Sequence, residues 1–422
     1  MTPVPLSRNR DYHLLWTGQA VAEFGHYATT IALPLLVLAL TGSAAASGLV
    51  LGAVAAAQLV AGLPAGALVD RWPRRRVMLV CEAAQAAALA TLVLAVWWDA
   101  VRLWHLVAVA AVLGVATALF EPAEDAALAT IVPQAQLPTA VALNSARSSL
   151  GQLAGTAAGG FLFAVGRVVP FLVDLLTHVV AFVALCFLRV PRRPAAPPAP
   201  VRHLGREIAE GLRWVWSRRH IRVTALCAVV LNLFFSAFYI VVIVLAERRG
   251  VPAGEIGVMA AMLGVGGIVG ALLAPYLQRV LSPYLAIALV FWALAALTPL
   301  AVFTEGGYLT GALFAAMALL PPTANTVIIS SQLTMTPDAL RGRLGSVVGL
   351  VTGGAGAVGP VLGGLLAAAL SPTQAVLACA LGIAVVTVVV TVSPTLRRFP
   401  RPAVEGNEEP VPARTTEGVH DG

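Results

Sequence analysis

The chain has 422 residues, of which 59% are hydrophobic and 11% charged, against about 25% charge in an ordinary soluble domain; with a mean hydropathy of +0.87, a soluble enzyme is excluded. Every basic side chain is arginine and the net charge is +7, but these arginines are scattered over helix ends without stacking aromatics or a groove-reading pattern, so no nucleic-acid partner is expected. Cys81, Cys186, Cys227 and Cys379 stand singly inside apolar stretches, which argues for packing and against a metal clamp or a disulfide framework.

A hydrocarbon core roughly 30 Å thick takes about 20 residues per helical crossing, which leaves room for about a dozen helices. Apolar stretches fall near 12–39, 46–69, 76–98, 102–125, 139–165 and 168–189, then near 221–246, 255–277, 283–303, 308–332, 342–370 and 373–393. The pattern predicts an all-α membrane protein: a six-helix half over 1–190, a cytoplasmic linker over 191–220, a second six-helix half over 221–395 and a disordered cytoplasmic tail over 396–422. Helices are required because backbone groups in lipid must be satisfied within the segment. The first stretch is too long for a cleavable signal peptide and begins after a polar Ser7-Arg8-Asn9-Arg10-Asp11 run, so it is expected to be retained. Arg8, Arg10, Arg71, Arg74 to Arg76, the cluster from Arg189 to Arg222, Arg279, Arg341, Arg343, Arg397, Arg398 and Arg401 fall on one side of these spans. Arg102, Arg167, Arg248 and Arg249 fall on the other, so the excess places both termini in the cytoplasm of a cell (cytoplasmic) membrane protein.

Ionisable residues within such spans cost roughly 2.5–3.5 kcal/mol at the helix centre and are functional candidates by default. In the first span, Gln19, Glu23, His26 and Tyr27 share one face. Glu23 lies near mid-membrane, where a carboxylate can either take up and release a proton or make a structural hydrogen bond. At the end of the second span, Gly66-Ala67-Leu68-Val69-Asp70-Arg71-Trp72-Pro73-Arg74-Arg75-Arg76 puts a carboxylate ahead of an arginine cluster. In the fourth, Glu121 stands at a depth similar to Arg147 in the fifth, which predicts a Glu121–Arg147 ion pair, with Glu124 and Asp125 as solvated helix ends. Asp174 and His178, four apart in the sixth span, can pair on one face.

Polar faces of Asn232, Ser236 and Tyr239 in the seventh span, and of Asn325, Ile329 and Gln332 in the tenth, can meet a cavity or make helix–helix hydrogen bonds. Together they outline a wide, weakly polar chamber suited to amphipathic organic molecules. The linker opens with the extended run Pro191 to Pro200, and residues 202–219 read as an amphipathic helix lying on the inner leaflet. Gly151, Gly155, Gly159 and Gly160 repeat at helix-face spacing in the fifth span, as do Gly353, Gly356, Gly359, Pro360, Gly363 and Gly364 in the eleventh; small faces permit tight helix packing. One offset of 204 residues links Gly62 to Gly266, Gly66 to Gly270, Gly155 to Gly359, Gly159 to Gly363, Gly160 to Gly364 and Pro133 to Pro337, which argues for two repeats in the same orientation.

The Asp70 loop and this duplication resemble the major facilitator superfamily over residues 7–395. Tyr12 to Gln19, Ala32-Leu33-Pro34-Leu35, Phe120-Glu121-Pro122-Ala123, Arg206 to Trp214 and Pro337 to Arg343 are similar to its drug and siderophore exporters of the macrolide-efflux and enterobactin-exporter type. The resemblance implies the major facilitator fold, a monomer without cofactors, a small-molecule substrate, protons and the lipid bilayer as partners, and rocker-switch transport. It implies a gating role for Gly66, Asp70, Arg71, Arg74, Arg75 and Arg343, with Asp70 latching onto the start of the eleventh helix in the outward-facing state. It also implies an antiporter-type flexible helix, although Thr156 stands where the motif has proline and only Pro360 keeps it. The motif's arginine in the fourth helix is absent. The expected function is proton-linked efflux of drugs or secreted metabolites; a uniporter or importer of the same fold, or a non-transporting sensor or lipid-handling relative, remain open alternatives.

Overall fold

The computed structural model describes residues 5–69, 71–190, 212–336 and 338–397. Asp70, the surroundings of Gly66, the Arg343 side chain, most of the linker and nearly all of the tail lie outside the described residues, and with them the Asp70 latch.

Asn9 starts α1 (Arg10–Thr41) by accepting the Tyr12 amide at 3.1 Å, and Gly42, at φ +61°, stops it in a left-handed turn. There follow α2 (Ala44–Val69), α3 (Arg74–Trp97), α4 (Leu103–Ile131), α5 (Leu137–Val165) and α6 (Val169–Phe187). A helical turn over 212–217 precedes α7 (Arg219–Arg248), α8 (Ala253–Val280) and α9 (Pro283–Leu297), the last continued by a 3-10 turn, Thr298–Val302. The tenth predicted span is two helices, α10 (Gly307–Ala318) and α11 (Pro321–Thr334), because Pro321 and Pro322 suit a first turn and cannot continue a preceding one. Next come α12 (Asp338–Ala369), the eleventh span, then α13 (Pro372–Val392) with a Ser371–Gln374 capping box, and α14 (Pro394–Arg397).

Eleven segments among the described residues are long and apolar enough to cross a membrane. The predicted fifth span, α5, is the twelfth helix: Asn144, Ser145, Arg147, Ser148, Ser149 and Gln152 lower its hydropathy. The helix packs on α1 and against α8 of the other half, with Arg147 buried and Ser145, Ser149 and Gln152 exposed.

In the first half α1 packs on α2, α5 and α6, α2 on α4, and α3 on α4 and α6; in the second α7 packs on α12 and α13, α8 on α10 and α11, and α9 on α13. The halves meet where α2 lies against α12 and α5 against α8. Glycine makes both seams possible. A Cβ on Gly160 would run into the Ala253 carbonyl and the Gly257 backbone of α8, and one on Gly364 would meet the Ala44 carbonyl and the Gly48 Cα of α2. One residue earlier Gly159 faces Ala28 of α1, and Gly363 faces Ala237 of α7. The two seams are therefore copies of one arrangement.

These contacts correct the single offset of 204. It holds between α5 and α12, but Ala44 and Gly48 occupy the places of Ala253 and Gly257, and Ala28 that of Ala237, each pair 209 apart. Gly62 has nothing within 4 Å of a would-be Cβ, whereas Gly266 packs on the Ala315 backbone of α10, so these two are not equivalent.

The apolar core runs between the halves at the end remote from the termini, where Ile31, Leu35, Leu38 and Ala44 join the α7–α8–α13 core. Towards the end carrying the termini the seam loosens. Gly349 and Gly356 of α12 have open space beside them, and a cavity of about 650 Å³ lies between α2, α4 and α12. Of the predicted amphipathic helix, 202–211 lie outside the described residues; in the 212–217 turn Val215 is buried against Ile221, Ala225, Leu344 and Val347 of the second half, and the Arg218 guanidinium stacks 4.4 Å over Trp214.

Candidate functional site

Arg147, about a third of the way along α5, is buried and forks onto Glu23 of α1, with Nε 3.0 Å from Oε2 and Nη2 3.2 Å from Oε1. Its Nη1 donates to Glu124 Oε1 of α4 at 2.8 Å. The planar guanidinium supplies the five-donor fork that a bidentate pair and a second carboxylate need. Gly151, one turn on, lets α1 come close enough, since a Cβ there would touch the Glu23 Cβ at 3.0 Å.

This replaces the expected Glu121–Arg147 pair. Glu124 is 8% exposed, not a solvated helix end, because Glu121 and Glu124 lie three residues apart and point about 60° away from one another on α4. Glu121 is exposed and lines the 650 Å³ cavity with Gln58, Leu59, Pro122, Leu350 and Gly353; Asp125 is exposed too.

A second cluster joins α1, α3 and α6. Glu82 of α3, 1% exposed, accepts from Gln19 Nε2 at 2.9 Å and lies 2.6 Å from His178 Nδ1. His178 Nε2 stands 3.4 Å from Asp174 Oδ1, a looser contact than the helix spacing alone implied. Both Asp174 carboxylate oxygens are buried without a hydrogen-bond partner among the described residues. The expected common face of α1 is thus divided. Gln19 turns to α3 while Glu23 turns to α5, because a four-residue step rotates about 40° and both side chains are long. Tyr27 packs at Gly155 of α5, and the His26 and Tyr27 rings meet edge-on at 5.5 Å.

Glu82 was missed in the sequence, although the signal was there: a carboxylate inside an apolar stretch. Its nearness to Arg74–Arg76 disguised it as part of a charged flank.

The remaining candidates disperse. Arg74 donates to the Ala126 carbonyl at 2.7 Å and to Thr130 Oγ1 at 2.5 Å, and Arg75 to the Leu185 carbonyl at 2.9 Å and to the Cys186 carbonyl. These two arginines cap the ends of α4 and α6 within the first half. Arg71 has an interaction of its own. Asn232 is exposed and donates to the Ala228 carbonyl of its own helix, Gln332 is buried and donates to Thr224 Oγ1 of α7 at 3.3 Å, and Tyr239 stacks on Phe314. Asn325 is exposed on α11. The polar residues of the second half therefore make helix contacts or stand apart, and do not converge on one chamber. Among the described residues no group of His, Cys, Asp and Glu has the arrangement of a metal site.

Chemically the Arg147 cluster sets two carboxylates against one cation. A carboxylate withdrawn from water is tolerated when it is paired, and here both are paired with the one guanidinium.

The chain matches the family model described as transmembrane secretion effector over residues 2–412. It is 31% identical over 409 residues to the multidrug efflux pump Tap of Mycolicibacterium fortuitum, covering 92% of this chain and 96% of that one. Macrolide efflux protein A of Streptococcus pyogenes is 25% identical over 204 residues, 48% of this chain and 50% of that one. Among solved structures, the nucleoside transporter NupG superposes with a TM-score of 0.74 at 11% identity, over 92% of this chain and 100% of that one. A bacterial homologue of the iron transporter ferroportin, in an inward-facing state, gives 0.71 at 16%, over 90% and 98%. The fold is thus the major facilitator fold and the protein is a transporter, not an enzyme. The chain belongs to the transmembrane secretion effector family and is a multi-pass efflux transporter of the major facilitator superfamily.

Proposed function

We propose that the protein exports small amphipathic organic molecules across the cytoplasmic membrane in exchange for protons, by alternating access and with both termini in the cytoplasm. The observation that carries this reading is the Glu23–Arg147–Glu124 cluster, which ties three helices together deep in the first half, beside a cavity one of whose walls, α4, also supplies Glu124. Protonation of Glu23 would free one arm of Arg147 and loosen α1 from α5. The α5 helix in turn carries Gly160 at the seam with α8, so a proton event can bias the contact between halves. The names of the relatives support export of drugs, and the arginine distribution supports the orientation. With that orientation the conformation is open to the cytoplasm. Glu23, Glu124 and Arg147 would form the proton-responsive site and the α2–α4–α12 cavity the substrate site, with the Gln19–Glu82–His178–Asp174 chain a buried support for it.

The test is drug accumulation in pump-deficient cells expressing wild type or Glu23→Gln, with and without a proton uncoupler. Lowered accumulation in wild type, restored by the uncoupler and by Glu23→Gln, supports the reading. Export that survives the uncoupler overturns the coupling.

A further inference from the structure

The cavity between α2, α4 and α12 is chemically lopsided. Among the described residues its wall is built from alanine, glycine, leucine, valine and proline, with Gln58 as a neutral polar group and Glu121 as the one charged lining residue. Glu121 makes no ion pair among the described residues, while the nearest buried guanidinium, Arg147, is held by Glu23 and Glu124. Arg74, at the start of α3, is held at the end of α4 by the Ala126 carbonyl and Thr130. Asp125 and Glu23 lie within electrostatic range of Glu121 and add to its sign. A low-dielectric recess with a lone carboxylate focuses a negative potential on whatever enters. At about 650 Å³ the space suits a drug-sized molecule.

We propose that this cavity selects positively charged amphipathic molecules and that the Glu121 carboxylate recognises the positive charge, while the apolar wall takes the hydrophobic body. The inference rests on the efflux reading for its biological sense, but binding tests it separately. A neutral molecule of the same shape gains only the apolar contact; an anion must enter against the field.

The experiment is isothermal titration of the full-length detergent-solubilised protein with tetraphenylphosphonium, its anionic isostere tetraphenylborate and neutral triphenylphosphine oxide. Wild type is expected to bind the cation about twofold to fivefold tighter than the neutral probe, the size of one partly screened charge contact, and the anion weakest. In Glu121→Gln the cation-to-neutral ratio should fall towards one, and Glu121→Asp should restore part of it. Because Glu121 holds no structural partner, the variants are expected to remain monodisperse, which size-exclusion chromatography checks. Equal affinities for all three probes in wild type, no binding of the cation, or an unchanged ratio in Glu121→Gln would overturn the proposal. Cation-selective binding lost in Glu121→Gln, with no export in cells, would uphold it and sink the efflux reading instead.

Discussion

Arg147 shows how much depends on which carboxylate a buried cation finds. Glu121 and Glu124 sit on one helix at nearly the same depth, yet one faces open space and the other completes an ion cluster. Removing one partner of a buried pair costs about 3–5 kcal/mol because the remaining charge is stranded. Arg147→Ala should therefore lower the apparent Tm of the purified protein well beyond Glu121→Gln, as read by thermal shift in detergent. Arg147→Lys should rescue little, since a point charge cannot span Glu23 and Glu124 together. At the second cluster, Glu82→Ala strands His178 and Gln19 and should cost a similar amount. Asp174→Asn keeps the shape of the side chain and weakens only the looser 3.4 Å contact to His178, so it should cost less than Glu82→Ala. Equal losses for the two variants would contradict the contacts described.

Residue-level pairings were the least legible part of the sequence. Periodicity put Glu23, Arg147, Asp174 and His178 inside the membrane, because ionisable groups stand out in apolar runs. Choosing partners needed the rotation of each helix, which one chain of letters leaves free. The same gap left Gln332 open between a cavity and a helix–helix bond, and its contact with Thr224 is the second of these.

At the scale of elements, helix positions followed from hydropathy almost throughout, since the bilayer fixes segment length. The tenth span was the exception: its apolar run hid a break at two prolines. The repeat was visible too, but contacts set its register, with α1 and α2 shifted by five residues relative to α5. The glycine seams carry the sharpest prediction at this scale. Gly160→Leu has no room against Ala253 and Gly257, so the halves must part at the end remote from the termini. Transport should be lost, and a cysteine placed near Ala253 in a cysteine-free background should label faster with an impermeant thiol reagent. Unchanged labelling with full transport would rule out a close seam there. Arg75→Ala should destabilise the α6 end by about 1.5–3 kcal/mol, the range for charged hydrogen bonds, read by faster proteolysis after residue 187.

Across the whole molecule the two halves share packing and differ in charge. In the register set by the contacts, Asn232 takes the place of Glu23, and Val351 that of Arg147. The buried ion clusters Glu23–Arg147–Glu124 and Glu82–His178–Asp174 lie wholly in the first half, whose α2 and α5 form both seams with the second. If export is driven by protons, the driving chemistry belongs to the first half and the second moves as an apolar partner. Asn232→Ala should accordingly leave uncoupler-sensitive export in place, in contrast to Glu23→Gln, in the cell accumulation assay.

The most direct test of proton-coupled export uses purified protein in liposomes with an acidic lumen. Wild type should concentrate a labelled cationic amphiphile inside as lumenal protons leave, and both dissipating the gradient and Glu23→Gln should abolish that accumulation. Uptake that only equilibrates, at the same rate with and without the gradient, would contradict the account.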